Sequence, residues 1–243
     1  MTMQPDLPPS AATAPFPERD IRFTPYPDGH LYTPEDADRD FGPAGGWTSN
    51  LASDVRDGAL RIVLPRDTEI EGFKVVRQIP PQPAYYAQIK LKFDAGFDWG
   101  NVNDIKLPLG LGGGTYSTGG RPDKATGWSG RLCYQGGTHN LTIYAYDVDR
   151  TKWGRQWNTG VTPELDRWYT FKLYVWRNTA GANDGVCKLW IDDELKIEKH
   201  DVAWSYRTTE VSMVGSECFR GGAGDPPSID TFVWLDSVKW WPA

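Results

Sequence analysis

The side chains best suited to chemistry cluster in one stretch: Gly127-Trp128-Ser129-Gly130-Arg131-Leu132-Cys133-Tyr134, then Gln135 to His139, then Asn140-Leu141-Thr142-Ile143-Tyr144-Ala145-Tyr146. Two alternating runs around a glycine-containing turn read as a β-hairpin. With the turn centred between Gly137 and Thr138, Ser129 faces Tyr146, Arg131 faces Tyr144, Leu132 faces Ile143 and Tyr134 faces Leu141. One face then carries Trp128, Leu132, Tyr134, Leu141, Ile143 and Ala145, which suits a core. The other carries Ser129, Arg131, Thr142, Tyr144 and Tyr146, which suits a wet groove. Directly opposed Cβ atoms lie roughly 4.5–5.5 Å apart, so these polar groups form one cluster. A guanidinium can grip a carboxylate with two parallel bonds. A tyrosine hydroxyl can move a proton, and a nearby cation favours its ionised form. An ordinary solvated sheet face would show the same residues, so the hairpin alone leaves both readings open.

A second piece is Phe97-Asp98-Trp99-Gly100, leading through Asn103-Asp104-Ile105 to Lys106-Leu107-Pro108-Leu109-Gly110-Leu111-Gly112-Gly113-Gly114. The glycines suggest a phosphate cradle, but no Gly-Lys-Ser/Thr and no helix follows, so a P-loop is rejected. Lys106, between two apolar residues, reads as a groove-edge or solvent-facing lysine. Arg77 and Arg220 are further groove candidates, and His139 sits in the hairpin turn near the polar cluster.

These residues need a sheet to hold them. Strand patterns occur at Leu60–Leu64, Phe73–Ile79, Tyr85–Phe93, Ile105–Leu109, Gly127–Tyr134, Asn140–Val148, Trp168–Trp176, Val186–Ile191, Leu195–Lys199, Val211–Gly215 and Thr231–Trp240. Asp192-Asp193-Glu194 joins two of them as a hairpin. The segment Pro34–Phe41 reads as a short helical turn. Its Asp36, Asp38 and Asp40 are compatible with a structural calcium site, although no EF-hand glycine follows. About eleven short strands and no long helical period predict an all-β sandwich of two antiparallel sheets.

Composition agrees. The 243 residues suit one domain, and 26 Gly, 19 Pro and 13% aromatics suit a turn-rich sheet protein. Residues 1–20 read as a flexible Pro-rich leader and 21–243 as one domain. Most of the 12 Trp are expected in the core. A net charge of −6 argues against a nucleic-acid partner, and an anionic ligand would need a local basic groove. The 3 Cys, at wide spacings, imply neither a zinc site nor a disulfide scaffold; at most one bridge forms. No apolar run reaches membrane-spanning length, and the first residues lack the pattern of a secretion signal.

The motifs together resemble the alginate and glucuronan lyases of polysaccharide lyase families fourteen and twenty. The matching residues are Phe93-Asp94-Ala95-Gly96-Phe97-Asp98-Trp99-Gly100, Lys106-Leu107-Pro108 with Gly110-Leu111-Gly112-Gly113, Trp128-Ser129-Gly130-Arg131, Tyr144-Ala145-Tyr146, Phe219-Arg220-Gly221-Gly222 and Asp236. The similarity runs from about Asp28 to the end. Two departures flank the lysine: Asn103-Asp104-Ile105 stands where the family has Gly-Gly, and Leu109 interrupts the Pro-Gly step.

The resemblance implies a β-jelly roll with a concave groove, and β-elimination on an acidic, uronate-containing polysaccharide. The C5 proton of a uronate leaves only when the carboxylate charge is offset and the enolate-like intermediate is stabilised. Arg131 is expected to offset it. Lys106 abstracts the proton or shares that neutralisation, Tyr144 and Tyr146 serve as base and acid in unassigned order, and Ser129 orients substrate. Arg77, His139 and Arg220 are the further expected substrate contacts. The scheme requires no cofactor. A monomer acting outside the cell is expected, with no nucleic-acid or membrane partner and any secretion signal absent from this sequence. The rivals are a non-catalytic carbohydrate-binding module and a jelly-roll glycoside hydrolase, which needs paired carboxylates. Asp147 and Asp149 read better as strand-end residues.

Overall fold

Strict alternation does most of the folding. Along Trp168–Trp176 and Ala84–Phe93 every second residue is buried, which fixes each strand's face and register against its neighbours. A computed structural model describes residues 16–43, 45–49, 51–116, 127–150 and 152–243, apart from the side chains of 222 and 223. Among these the order is β1 (Arg19–Arg22), α1 (Pro34–Phe41), β2 (Trp47–Ser49), β3 (Ser53–Arg56), β4 (Ala59–Leu64), β5 (Gly72–Gln82), β6 (Ala84–Phe93), β7 (Asn101–Gly113) and β8 (Trp128–Gln135). Then follow β9 (Asn140–Tyr146), β10 (Arg155–Asn158), β11 (Trp168–Trp176), β12 (Gly185–Ile191), β13 (Glu194–Val202), β14 (Val211–Asp225) and β15 (Thr231–Pro242).

The strands form a two-sheet jelly-roll sandwich, as expected. One sheet runs β13-β12-β11-β6-β15-β4-β3, with β1 added to β15; the other runs β10-β9-β8-β7-β14-β5-β2. All pairings are antiparallel. The inward faces share one core in which Trp128, Trp204 and Trp240 are fully buried. Asp192 and Asp193 both have positive φ, the backbone of a tight two-residue hairpin.

Each expected strand is present. β7 and β14 run longer than expected because glycine and polar residues continue their ladders. The strands that alternation does not reveal are β1, β2, β3 and β10. All are short and lie at sheet margins, where ladder bonds rather than a buried face hold them. Residues 16–20, expected in the leader, are part of the fold: Phe16 packs on the core, Trp240 Nε1 donates to its carbonyl at 3.2 Å, and β1 starts at Arg19. The rest of the leader lies outside the described residues. The cysteines are three buried free thiols.

Helix α1 spans the predicted segment. Thr33 caps it reciprocally with Asp36, and Pro34 starts its first turn. Its carboxylates diverge. Asp36 meets His30 and Arg39, Asp38 meets Arg77, and Asp40 accepts from Tyr26 and Tyr32. Among the described residues no group of three or more His, Cys, Asp or Glu is arranged to hold a metal ion.

Arg77 is therefore not at a groove. It shares the inward parity of Phe73 and Val75 on β5 and is fully buried. Its guanidinium donates to the carbonyls of Gly42, Trp47 and Val76 and to Asp38 Oδ1 at 2.6 Å, clamping the end of α1 to the sheet. Arg77→Ala should lower stability by about 2–4 kcal/mol, since it strands these buried acceptors. Asp38→Asn, at a half-exposed partner, should cost less than about 1 kcal/mol. Urea unfolding of both variants checks the ranking.

Candidate active site

The β8–β9 hairpin adopts the register read from its sequence: Ser129 pairs with Tyr146, Arg131 with Tyr144, Leu132 with Ile143 and Tyr134 with Leu141. Trp128, Leu132, Tyr134, Leu141, Ile143 and Ala145 all enter the core. The opposite face is not the wet surface expected. Ser129, Arg131, Thr142, Tyr144 and Tyr146 are all buried, Tyr144 being the most accessible at 6%.

β7 brings Lys106 onto this face opposite Cys133, and it too is buried. Between Lys106 and Gly110 the pairing with β8 slips. Pro108, which has no N–H to give a ladder, lies in the irregular stretch. Leu109 turns into the core, so this departure from the family pattern changes packing rather than the polar face. Asp104, from the other departure, joins the cluster.

Lys106 Nζ lies 3.7 Å from the centre of the Tyr144 ring, 3.6 Å from Cys133 Sγ and 3.6 Å from Asp104 Oδ2. Gln156 Nε2 donates to Asp104 Oδ1 at 2.6 Å. Arg131 donates to Glu217 Oε2 at 3.2 Å, and its guanidinium faces the Tyr146 ring at 5.2 Å. Arg150 stands over the same ring at 5.3 Å. The Tyr144 and Tyr146 rings meet edge to face, and the Gly154 N–H donates to the Tyr144 hydroxyl at 3.2 Å. Lys106, Arg131 and Arg150 stand against the carboxylates of Asp104 and Glu217, a local excess of one positive charge before Lys74, further along the same face, is counted. This is the basic patch that an anionic ligand requires despite the protein's net negative charge.

Burial works against the Arg131 charge, but Glu217 outweighs it and holds the guanidinium ionised beyond its usual range. Tyr144 departs from expectation. Burial, with the neighbouring Tyr146, raises its pKa well above the ordinary tyrosine range instead of lowering it, so it keeps its proton. Burial also pushes the Cys133 thiol up to about 11.

The glycine-rich run serves a steric purpose. Gly110 and Gly112 on β7 and Gly215 on β14 leave a bare surface on which the Tyr116 ring lies. A Cβ at Gly215 would sit 2.0 Å from the Tyr116 hydroxyl, and one at Gly110 2.6 Å from it. Tyr116 is buried between Trp47 and the Arg131 guanidinium.

Several predicted residues fall elsewhere. Arg220 shares the inward parity of Cys218 and reaches across the sandwich to the Pro65 carbonyl and the Thr231 hydroxyl, both at 2.6 Å. His139 is exposed, with its ring bonded at 2.8 Å to the hydroxyl of core-facing Tyr134, away from Arg131. Asp236 pairs with Arg22 on the other sheet. Asp147 and Asp149 are both tied to Arg155. Sequence reasoning missed Glu217, Asp104, Gln156, Cys133, Lys74 and Tyr116. Glu217 had one visible signal: it stands two residues before Phe219 and so shares its face.

No family model and no curated protein matches the chain. Solved structures do. The alginate lyase Aly36B, in a mutant form bound to an alginate tetrasaccharide, superposes with a TM-score of 0.82 at 21% identity, over 95% of this chain and 98% of that one. The alginate lyase vAL-1 from Chlorella virus gives 0.67 at 16%, over 81% and 89%. An endo-β-1,4-glucuronan lyase from the fungus Trichoderma reesei gives 0.53 at 14%, over 89% and 94%. A β-1,3-1,4-glucanase from a mouse hindgut metagenome shares the fold at 0.51 and 14%, over 94% and 100%. The fold is thus that of the alginate and glucuronan lyases, and it also carries hydrolases.

The seating of Tyr116 makes a prediction. Gly215→Ala should destabilise by about 1–3 kcal/mol through overpacking. In a Tyr116→Ala background the same substitution should cost far less, because the ring it strikes is gone. A double-mutant cycle read by thermal unfolding checks the coupling; additive losses would separate the two residues.

Proposed function

We propose that this protein is a polysaccharide lyase that cleaves a uronate-containing acidic polysaccharide, of alginate or glucuronan type, by β-elimination. The observation that carries the reading is the convergence of Lys106, Arg131, Tyr144 and Tyr146 in one nearly closed, net-positive cluster. The shared fold supports it without deciding the chemistry, because a β-glucanase has the same architecture. The two carboxylates in the cluster, Asp104 and Glu217, are each engaged with a cation. Neither stands free to flank a glycosidic bond as hydrolysis requires.

In this reading the substrate carboxylate binds at Arg131. Its Nε is buried without a hydrogen-bond partner among the described residues, a donor left for an incoming anion. Glu217 fixes the guanidinium so that it is already oriented, and little reorganisation accompanies charge development at C5 and the carboxylate. Tyr144 keeps its proton and is placed to donate it to the departing O4. That leaves the C5 proton to Tyr146 as its phenolate or to Lys106 as its neutral amine, because the ammonium form has no lone pair to accept it. Tyr146 lies between the guanidinium groups of Arg131 and Arg150, and Lys106 is steadied by Asp104, Cys133 and the Tyr144 ring. Ser129 lines the floor. Among the described residues no helix is long and apolar enough to cross a membrane. Action on a polymer outside the cell suits this substrate class.

Incubation with alginate blocks and with glucuronan should produce the ultraviolet absorbance of unsaturated uronate ends on at least one polymer. Tyr146→Phe should lower kcat by roughly 10²–10⁴-fold with thermal stability retained. Saturated new non-reducing ends, or an undiminished rate in Tyr146→Phe, would contradict the proposal.

A further inference from the structure

Lys74 is a buried cation that the chemistry above does not use. It lies on β5 directly across from Glu217 of β14, on the face that carries the cluster. Only 8% of it is exposed, yet among the described residues no hydrogen bond or ion pair reaches its ammonium. Glu217, paired with it across the two strands, and Glu71 are the acidic groups that act on it, but Glu217 is bonded to Arg131. The Lys74 ammonium rests instead on the Phe219 ring, 4.3 Å from its centre. A cation–π contact offsets only part of the desolvation of a buried ammonium, and burial lowers the pKa of Lys74.

Phe219 links this lysine to the cluster. It pairs with Lys106 across β14 and β7, and its half-buried ring lies beside Lys106 over Gly221. A Cβ at Gly221 would be 3.5 Å from the ring and 4.0 Å from Lys106 Nζ. Lys74 and Lys106 thus stand on strands either side of β14 and two residues apart along it, roughly 12 Å between Cα atoms, a span of about two sugar rings. Between them lies an aromatic face of the kind that covers the C–H face of a pyranose.

We propose that Lys74 and Phe219 form a subsite for the uronate next to the one being cleaved, with Lys74 binding its carboxylate and Phe219 supporting its ring. The ligand class is a run of contiguous uronates rather than single uronates set among neutral sugars. The unpartnered ammonium gains an anion when such a chain binds, and cleavage proceeds at Lys106, Arg131, Tyr144 and Tyr146. This subsite rests on the lyase reading for its position relative to the scissile bond.

The test uses Lys74→Met and Lys74→Arg. Initial rates are followed on the homopolymeric uronate that the parent cleaves and on a glycan alternating uronate with neutral sugar. Lys74→Met should raise KM on the homopolymer about tenfold with kcat within about twofold. KM on the alternating glycan should stay the same, and thermal stability should not fall. Lys74→Arg should restore most of the affinity. Calorimetry with alginate and glucuronan tetrasaccharides in a Tyr146→Phe background separates binding from turnover. Tetrasaccharide binding that is weakened by Lys74→Met, with no unsaturated product from the parent, would sink the lyase reading and keep the subsite. Turnover by the parent with an unchanged KM in Lys74→Met would sink the subsite alone. Neither binding nor turnover would overturn both.

Discussion

The buried ion pair between Arg131 and Glu217 is the interaction on which the polar face depends. It joins β8 to β14 across the intervening β7, passing over Gly110, where a Cβ would lie 2.9 Å from Arg131 Cγ. A guanidinium this deeply buried is tolerated only with a partner; removing one member of such a pair typically costs about 3–5 kcal/mol. The pair therefore demands glycine on β7, and glycine there in turn admits Tyr116 as a cover. Charge, backbone and aromatic lid are parts of one arrangement. Its consequence is an arginine that is charged, oriented and largely dry before any ligand arrives, the condition under which electrostatic stabilisation is strongest.

The cluster is organised by more than charge. Tyr144 is held at its ring by Lys106 and at its hydroxyl by the Gly154 N–H, and burial keeps it protonated. Tyr146 is flanked by two guanidinium groups. Two neighbouring tyrosines thus sit in different settings, as the proposed acid and base roles require. The lichenase-like neighbour shows that the sandwich alone does not choose a reaction. In the proposed reading the choice lies in the side chains of β7, β8, β9 and β14.

Much of this was readable from alternation. The β8–β9 register follows from the placement of Leu132, Tyr134, Leu141 and Ile143, because a slip of one residue would bury Arg131 in the core and expose Leu132. Arg77 and Arg220 misled because they break the pattern in the other direction. Each takes an inward position and satisfies its charge with backbone carbonyls or side chains far away in sequence, which no local pattern reveals. The burial of the polar face was hidden for a similar reason. It arises from Tyr116 lying on glycines of two strands and from Glu217, contributed by a strand more than eighty residues further along the chain. The short marginal strands were invisible because they bury too little to show a period.

The most direct test of the central claim, that this cluster performs elimination, is to run the reaction in water enriched in heavy oxygen and weigh the oligosaccharides released from a polyuronate. Elimination predicts new non-reducing ends lighter by one water than the hydrolytic product, and fresh reducing ends that acquire no solvent oxygen in the cleavage step. Incorporation of one heavy oxygen per bond broken, with saturated ends, would contradict the account.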